Sequence, residues 1–148
     1  DNTEILSEKL SYLGTEKILE NVQKVLDGEA IFKEQDHAKA TYAKKIQKIE
    51  GKIDWNNSAR KIIAQINGLY PKPGAWFKLN NKRHKILKAK INKQSAKIGE
   101  VIDEQMTIAC GENSINIIEI QKEGKNSQLI KEFLLGNKVR KGTIITSE

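Results

Sequence analysis

Near the start of the chain, apolar residues recur at helical spacing: Ile5, Leu6, Leu10 and Leu13, then Ile18, Leu19, Val22, Val25 and Leu26. Residues three and four apart share one helix face, so the pattern predicts two short helices in line, or one with a break at Gly14, closed by Gly28. The period is lost in "GEAIFKEQDHAKA", residues 28–40, which reads as a linker leading through "TYAKKIQKIEGKIDW" into the next unit. Helical spacing returns at Ala59, Ile62, Ile63 and Ile66. Asn56 or Asn57 is the expected cap, and Gly68 sits where a left-handed terminal residue is wanted. Pro71 and Pro73 then fix their own φ and cannot continue a helix, while Gly74 allows close backbone approach. The chain is expected to turn there from helix into strand.

Beyond that corner the period falls to two. "AWFKL" and "HKILKAKI" flank "NNKR", whose paired asparagines tolerate positive φ and suit a hairpin. In the second strand Ile86, Ala89 and Ile91 alternate imperfectly with Lys85, Lys88 and Lys90, which implies one partly apolar and one basic face. Further strands are expected at "GEVIDE", "MTIAC" and "SINIIEIQ", the last two joined by a turn at "GEN". A late helix, "SQLIKEFLLG", precedes the closing "GNKVRKGTII". Five or so short strands and a helix in about 90 residues fit a small closed or nearly closed barrel. The expected class is α+β.

Charge divides the chain at the same place as the pattern. Of the net +7, residues 1–41 contribute −4, from five Lys against nine acids, which leaves +11 on residues 42–148. From Lys72 to Lys97 there are nine Lys or Arg residues and no acid. Like charge held close raises the local potential and attracts polyanions, so the candidate partner is a nucleic acid. The plainer alternative is a solvated lysine-rich surface. With 38% apolar and 30% charged residues, and no apolar run near the roughly 18 residues of a membrane span, the composition is that of a soluble folded protein without membrane contact. The absence of a secretory pattern and a single cysteine, Cys110 in "MTIAC", favour the cytoplasm and a buried thiol. The chain also opens directly on a helix pattern without an initiator Met, as if its start were cut.

Candidate chemistry is sparse. His37 falls in the linker and His84 beside a turn in a basic strand, neither with a nucleophile-and-carboxylate setting, and both read as surface residues. Cys110 has no companion ligands, so no zinc or other metal site is expected. Asp54 and Glu50 fit a structural lock between linker and barrel better than an acid pair. Trp55, Trp76 and Phe77 read as core packing rather than base-stacking platforms.

Taken in order, "ILSEKLSYLG", "LDGEAIFKEQD", "TYAKKIQKIEGKIDW", "SARKIIAQINGLYPKPGAW", "KILKA", "GEVI", "ACGENSINIIEIQKEGK" and "EFLLGNKVRKG" resemble the C-terminal half of the methionyl-tRNA formyltransferase family. The sharpest parts are the block from Thr41 to Trp55 and the helix-then-P-x-P-x-A block ending at Ala75. Asn67 stands where the family often has Arg, and Lys72 where Trp is frequent. The resemblance implies that residues 1–27 are the last helices of a Rossmann-like catalytic domain, 28–41 a linker, and 42–148 an OB-like barrel presenting a basic face to tRNA. It implies RNA contacts from the linker residues Lys44, Lys45 and Lys48 and from Lys72, Lys78, Lys82, Arg83, Lys85, Lys88, Lys90 and Lys93. It also implies that the catalytic Asn, His and Asp and the loop holding formyl-tetrahydrofolate lie upstream, so this chain carries no catalytic residue and no cofactor. The whole enzyme would be a monomer that formylates methionyl-initiator tRNA. Two other classes compete: a sugar-nucleotide or folate-hydrolysing relative, which needs no polyanion face, and a free-standing nucleic-acid-binding barrel, which needs no acidic helices at its start.

Overall fold

The computed structural model describes residues 1–147. Its first element, α1 (Thr3–Leu26), runs unbroken through Gly14, so the expected interruption is absent. Glycine in a helix costs about 1 kcal/mol relative to alanine, which weakens a long helix without ending it. Asn2 caps the helix by accepting from the Ile5 N–H at 3.0 Å. No residue of α1 is buried. Its link to the rest is at the N-terminal end, where the Thr3 hydroxyl donates to the carbonyls of Asn67 and Gly68 at 3.2 and 2.7 Å.

Residues 28–47 are irregular apart from one 3-10 turn, His37–Lys39, whose Asp36 cap accepts from Ala38 N–H. A second such turn, Lys48–Gly51, leads to α2 (Ala59–Gly68), which is capped by Ser58 rather than by either asparagine. Asn56 and Asn57 instead hold the preceding turn by donating to the Asp54 side chain and carbonyl. Ala59, Ile62 and Ile66 form the buried face of α2, as the spacing required.

The corner follows, with cis bonds at Tyr70–Pro71 and Lys72–Pro73 and a positive φ of 82° at Gly74. It delivers the chain into β1 (Ala75–Leu79), paired antiparallel with β2 (Lys82–Asn92) across Asn80 and Asn81, both of positive φ. Next come β3 (Thr107–Ala109), β4 (Ser114–Lys122) and β5 (Ser127–Leu129), then α3 (Ile130–Gly136). The antiparallel sheet runs β1-β2-β4-β3, with β5 also on β4. The expected late helix thus begins as a strand, Ser127–Leu129, and turns helical at Ile130.

"GEVIDE" forms no laddered strand but an extended segment pinned on both sides. Ala109 N–H donates to Glu100 O at 2.9 Å, Val101 N–H to Thr143 O at 2.9 Å and Ile145 N–H to Gly99 O at 2.8 Å. On the far side Ile53 N–H donates to Trp76 O at 2.8 Å, and Trp55 N–H reaches the Ser147 hydroxyl at 3.0 Å. The ladders therefore make an open five-stranded sheet, while single hydrogen bonds continue round from its β3 edge through Gly99–Val101 and Thr143–Ile145 to Trp55. Within lie Trp55, Ile62, Ile66, Phe77, Ile86, Ile108, Ile115, Ile117, Ile120 and Phe133, all at or below 1% exposure. Trp55 and Phe77 meet edge to face at 5.8 Å. Gly111 fits against this wall because a Cβ there would lie 2.0 Å from Asn56 O.

Candidate nucleic-acid interface

Cross-strand partners in an antiparallel pair share a face. The β1–β2 register couples Trp76 with Lys85, Phe77 with His84 and Lys78 with Arg83. Phe77 lies in the core, so His84 points inward with it and the odd positions Arg83 and Lys85 point out. His84 is only 2% exposed, which corrects its reading as a surface residue. Its ring packs 5.8 Å from Phe77 and 5.4 Å from Phe133, and Nδ1 lies 3.0 Å from Lys82 O, which makes Nδ1 the protonated nitrogen of the neutral ring. Burial holds its pKa below the usual histidine value, and the Lys122 and Lys82 charges add to that.

The imperfect alternation along β2 has a structural cause. Pairing with β4 slips between Ile86 and Lys88 and again between Lys88 and Ala89. A bulge adds a residue and reverses which parity faces out. Odd positions Arg83 and Lys85 are outward before it, and even positions Lys88 and Lys90 after it, so a strand whose lysines change parity still shows them all to solvent. Of the eleven side chains the sequence nominates, Lys85 is half-buried and the other ten are exposed.

Five of those residues line one open groove: Lys45, Lys48, Lys72, Arg83 and Lys85. Lys122, from the end of β4, is a sixth cation there, and Glu123 an acid on the rim. The walls come from Lys45–Ile49, which runs from irregular chain into the second 3-10 turn, the corner at Lys72–Pro73, and the β2 and β4 ends. Lys78 adjoins the groove as the cross-strand partner of Arg83. Lys44, Lys82, Lys88, Lys90 and Lys93 are not among the lining residues; Lys88 stands opposite Glu119 and Lys90 opposite Asn116. Sequence reasoning missed Lys122 because nothing local marks it; only its pairing with His84 brings it to the β2 end.

At the centre is Trp76, 5% exposed but outside the main core. The Arg83 guanidinium sits 4.4 Å above its ring centroid, a cation–π contact. Its indole N–H donates to Lys48 O at 2.9 Å. The three ion pairs among the described residues, Lys9–Asp1, Lys17–Glu20 and Lys39–Asp36, all fall before residue 40, so the groove cations are uncompensated by direct pairs. Such a cleft raises the local potential for anions.

Asp54 accepts from the Asn56 backbone and side chain at 3.0 and 2.7 Å, which hold its carboxyl below its usual pKa. Glu50 accepts from Gln47 N–H. The two carboxylates are thus separate structural locks. Burial pushes the Cys110 thiol up to about 11. Among the described residues no three His, Cys, Asp or Glu side chains gather to hold a metal ion, and no helix is long and apolar enough to cross a membrane.

Fold and groove together define a small α+β module with a cationic cleft on its outer sheet face. The chain belongs to the family of formyl transferase C-terminal domains, whose model matches residues 45–138. It is 52% identical over 148 residues to the methionyl-tRNA formyltransferase of Pelagibacter ubique, covering 99% of this chain and 48% of that protein. It is 41% identical over 145 residues to that of Bradyrhizobium diazoefficiens, covering 95% and 47%. The chain thus spans about half the length of the curated relatives it matches. The resemblance read from the motifs is borne out. Among solved structures, HypX from Aquifex aeolicus in complex with tetrahydrofolic acid superposes with a TM-score of 0.63 at 20% identity, covering 86% of this chain and 26% of that one. At that identity the likeness shows the fold alone.

Proposed function

We propose that this chain is the tRNA-holding half of a methionyl-tRNA formyltransferase. The observation that carries the proposal is the groove in which Lys45, Lys48, Lys72, Arg83 and Lys85 converge without ion-pair partners among the described residues, on a member of this family. Fixed cations on a rigid sheet track phosphates without reading sequence. The remaining nominated residues, Lys44, Lys78, Lys82, Lys88, Lys90 and Lys93, extend that face. The single hydrogen bonds between the sheet edges support reading residues 42–148 as an OB-like barrel. On this reading residues 1–27 close the preceding catalytic domain and 28–41 link the two. Glu148 lies outside the described residues.

In the intact enzyme, a cytoplasmic monomer, the methionine α-amine on initiator tRNA takes a formyl group from formyl-tetrahydrofolate. The amine must lose a proton to attack, and a tetrahedral oxyanion must be stabilised. This chain's share is proximity: it grips the tRNA body so that the acceptor end reaches the catalytic half. Purified chain mixed with methionyl-initiator tRNA and formyl-tetrahydrofolate is expected to bind the tRNA, to bind an elongator tRNA about as well, and to form no formylmethionine. Measurable formylation, or no tRNA binding, would overturn the assignment.

A further inference from the structure

Trp76 is held in three directions at the point where the linker meets the sheet. Its carbonyl accepts from Ile53 N–H at 2.8 Å, its indole N–H donates to Lys48 O at 2.9 Å, and its ring lies 4.4 Å beneath the Arg83 guanidinium. Gly51 makes room for the ring: a Cβ there would come within 3.0 Å of it and 2.3 Å of Gly74 O. The stretch 44–47 has no regular secondary structure of its own, and the turn after it has only Gly51 buried. An irregular stretch with exposed backbone holds a fixed position only through such tertiary bonds.

We propose that Trp76 is the positioning residue of the cationic groove, tying Lys45 and Lys48 to the sheet that carries Arg83 and Lys85, so that cations from two separate stretches act as one polyanion site. The indole N–H fixes the Lys48 backbone; the ring restrains a guanidinium that would otherwise sweep through many rotamers. Cations so held meet several phosphates at once, while the same charges on a loose strap pay ordering entropy on binding. The proposal rests on the tRNA-holding reading for its ligand, and on the free protein for its geometry.

Trp76→Phe keeps a ring beneath Arg83 and deletes the N–H to Lys48. Amide exchange at Glu50 and Lys52, whose N–H groups donate to Gln47 O and Ile49 O, is expected to quicken about tenfold in the free variant, with exchange at the core residue Ile120 unchanged. Unchanged exchange at both turn amides would overturn the positioning role whether or not RNA binds. With an initiator tRNA transcript, Lys48→Ala in the native background should lower the slope of log K against log salt by about one phosphate's worth, roughly 0.7 to 0.9. In the Trp76→Phe background the same change should cost less than half of that, because an unanchored Lys48 no longer contributes fully. Equal costs in the two backgrounds would contradict the proposal, since a purely stabilising Trp76 lowers the folded fraction without coupling to Lys48. A native chain whose RNA binding ignores salt would instead refute the tRNA-holding reading and leave the exchange result to decide the role of Trp76.

Discussion

The helix α1 and the sheet that follows it carry apolar patterns of similar clarity, yet they end in opposite states. In α1 every apolar residue of the stripe stands at least 41% exposed, from Ile5 to Leu26. In the sheet, side chains of the same kinds at Ile86, Ile108, Ile115 and Ile120 lie at or below 1%. The difference is one of partners. The sheet has α2, α3 and its own curled face to enclose, whereas α1, with no buried residue, is hydrogen-bonded to α2 through the Thr3 hydroxyl at its tip. Periodicity specifies a face; burial, and the stability that follows from it, requires a second surface.

The largest consequence is kinetic. Amide exchange at Leu19 and Val22 of the isolated chain is expected to be faster than at Ile120, buried and paired on both sides, by at least about a thousandfold, the gap between local fraying and global unfolding. Equal protection in a monomer would show that α1 has a partner after all. Substitutions sharpen the same contrast on the energy scale. Phe133→Ala, at 0% exposure in the core, should cost about 3 to 5 kcal/mol by denaturant unfolding. Leu10→Ala, on the exposed helix face, should stay within about 0.5 kcal/mol.

A smaller effect depends on pH and belongs to the core of the sheet. Burial depresses the His84 pKa, so the folded state holds that ring neutral while the unfolded chain protonates it near about 6.5. The stabilisation is complete above that value and is lost as pH falls from there through the folded-state pKa, with a slope of at most about 1.4 kcal/mol per pH unit for one proton. His84→Gln should therefore unfold more easily at pH 7.5 yet lose less stability between pH 6.5 and 5 than the native chain.

Legibility followed the same division between local pattern and distant partner. The α2 stripe, the Asn80–Asn81 hairpin and four of the strands follow from spacing and turn chemistry, because their determinants lie within a few residues of each other. His84 was misread, although a signal existed: a two-residue turn pairs position 79 with 82 and so 77 with 84, which places His84 beside the buried Phe77. Cap choice at Ser58, the bulge after Ile86 and the pinning of Gly99–Val101 between two extended stretches depend on pairing with residues such as Glu112, Ile120 and Thr143, distant in the chain, which no local period reports. The groove was half legible. The cationic residues are conspicuous in the chain, but which of them converge is decided by the register of β2 against β1 and β4 and by the anchoring of Lys48 on Trp76.

The central claim is that these converging cations form a polyanion site, and equilibrium binding of initiator tRNA across a series of salt concentrations tests it most directly. Six groove cations, Lys45, Lys48, Lys72, Arg83, Lys85 and Lys122, predict a slope of log K against log salt between about −4 and −5.5, at roughly −0.7 to −0.9 per phosphate neutralised. Replacing Lys45, Lys48 and Lys85 together by Ala should bring the slope up by about two to three units with unfolding unchanged. A native slope near zero, or a triple variant that binds with the native slope, would contradict the account.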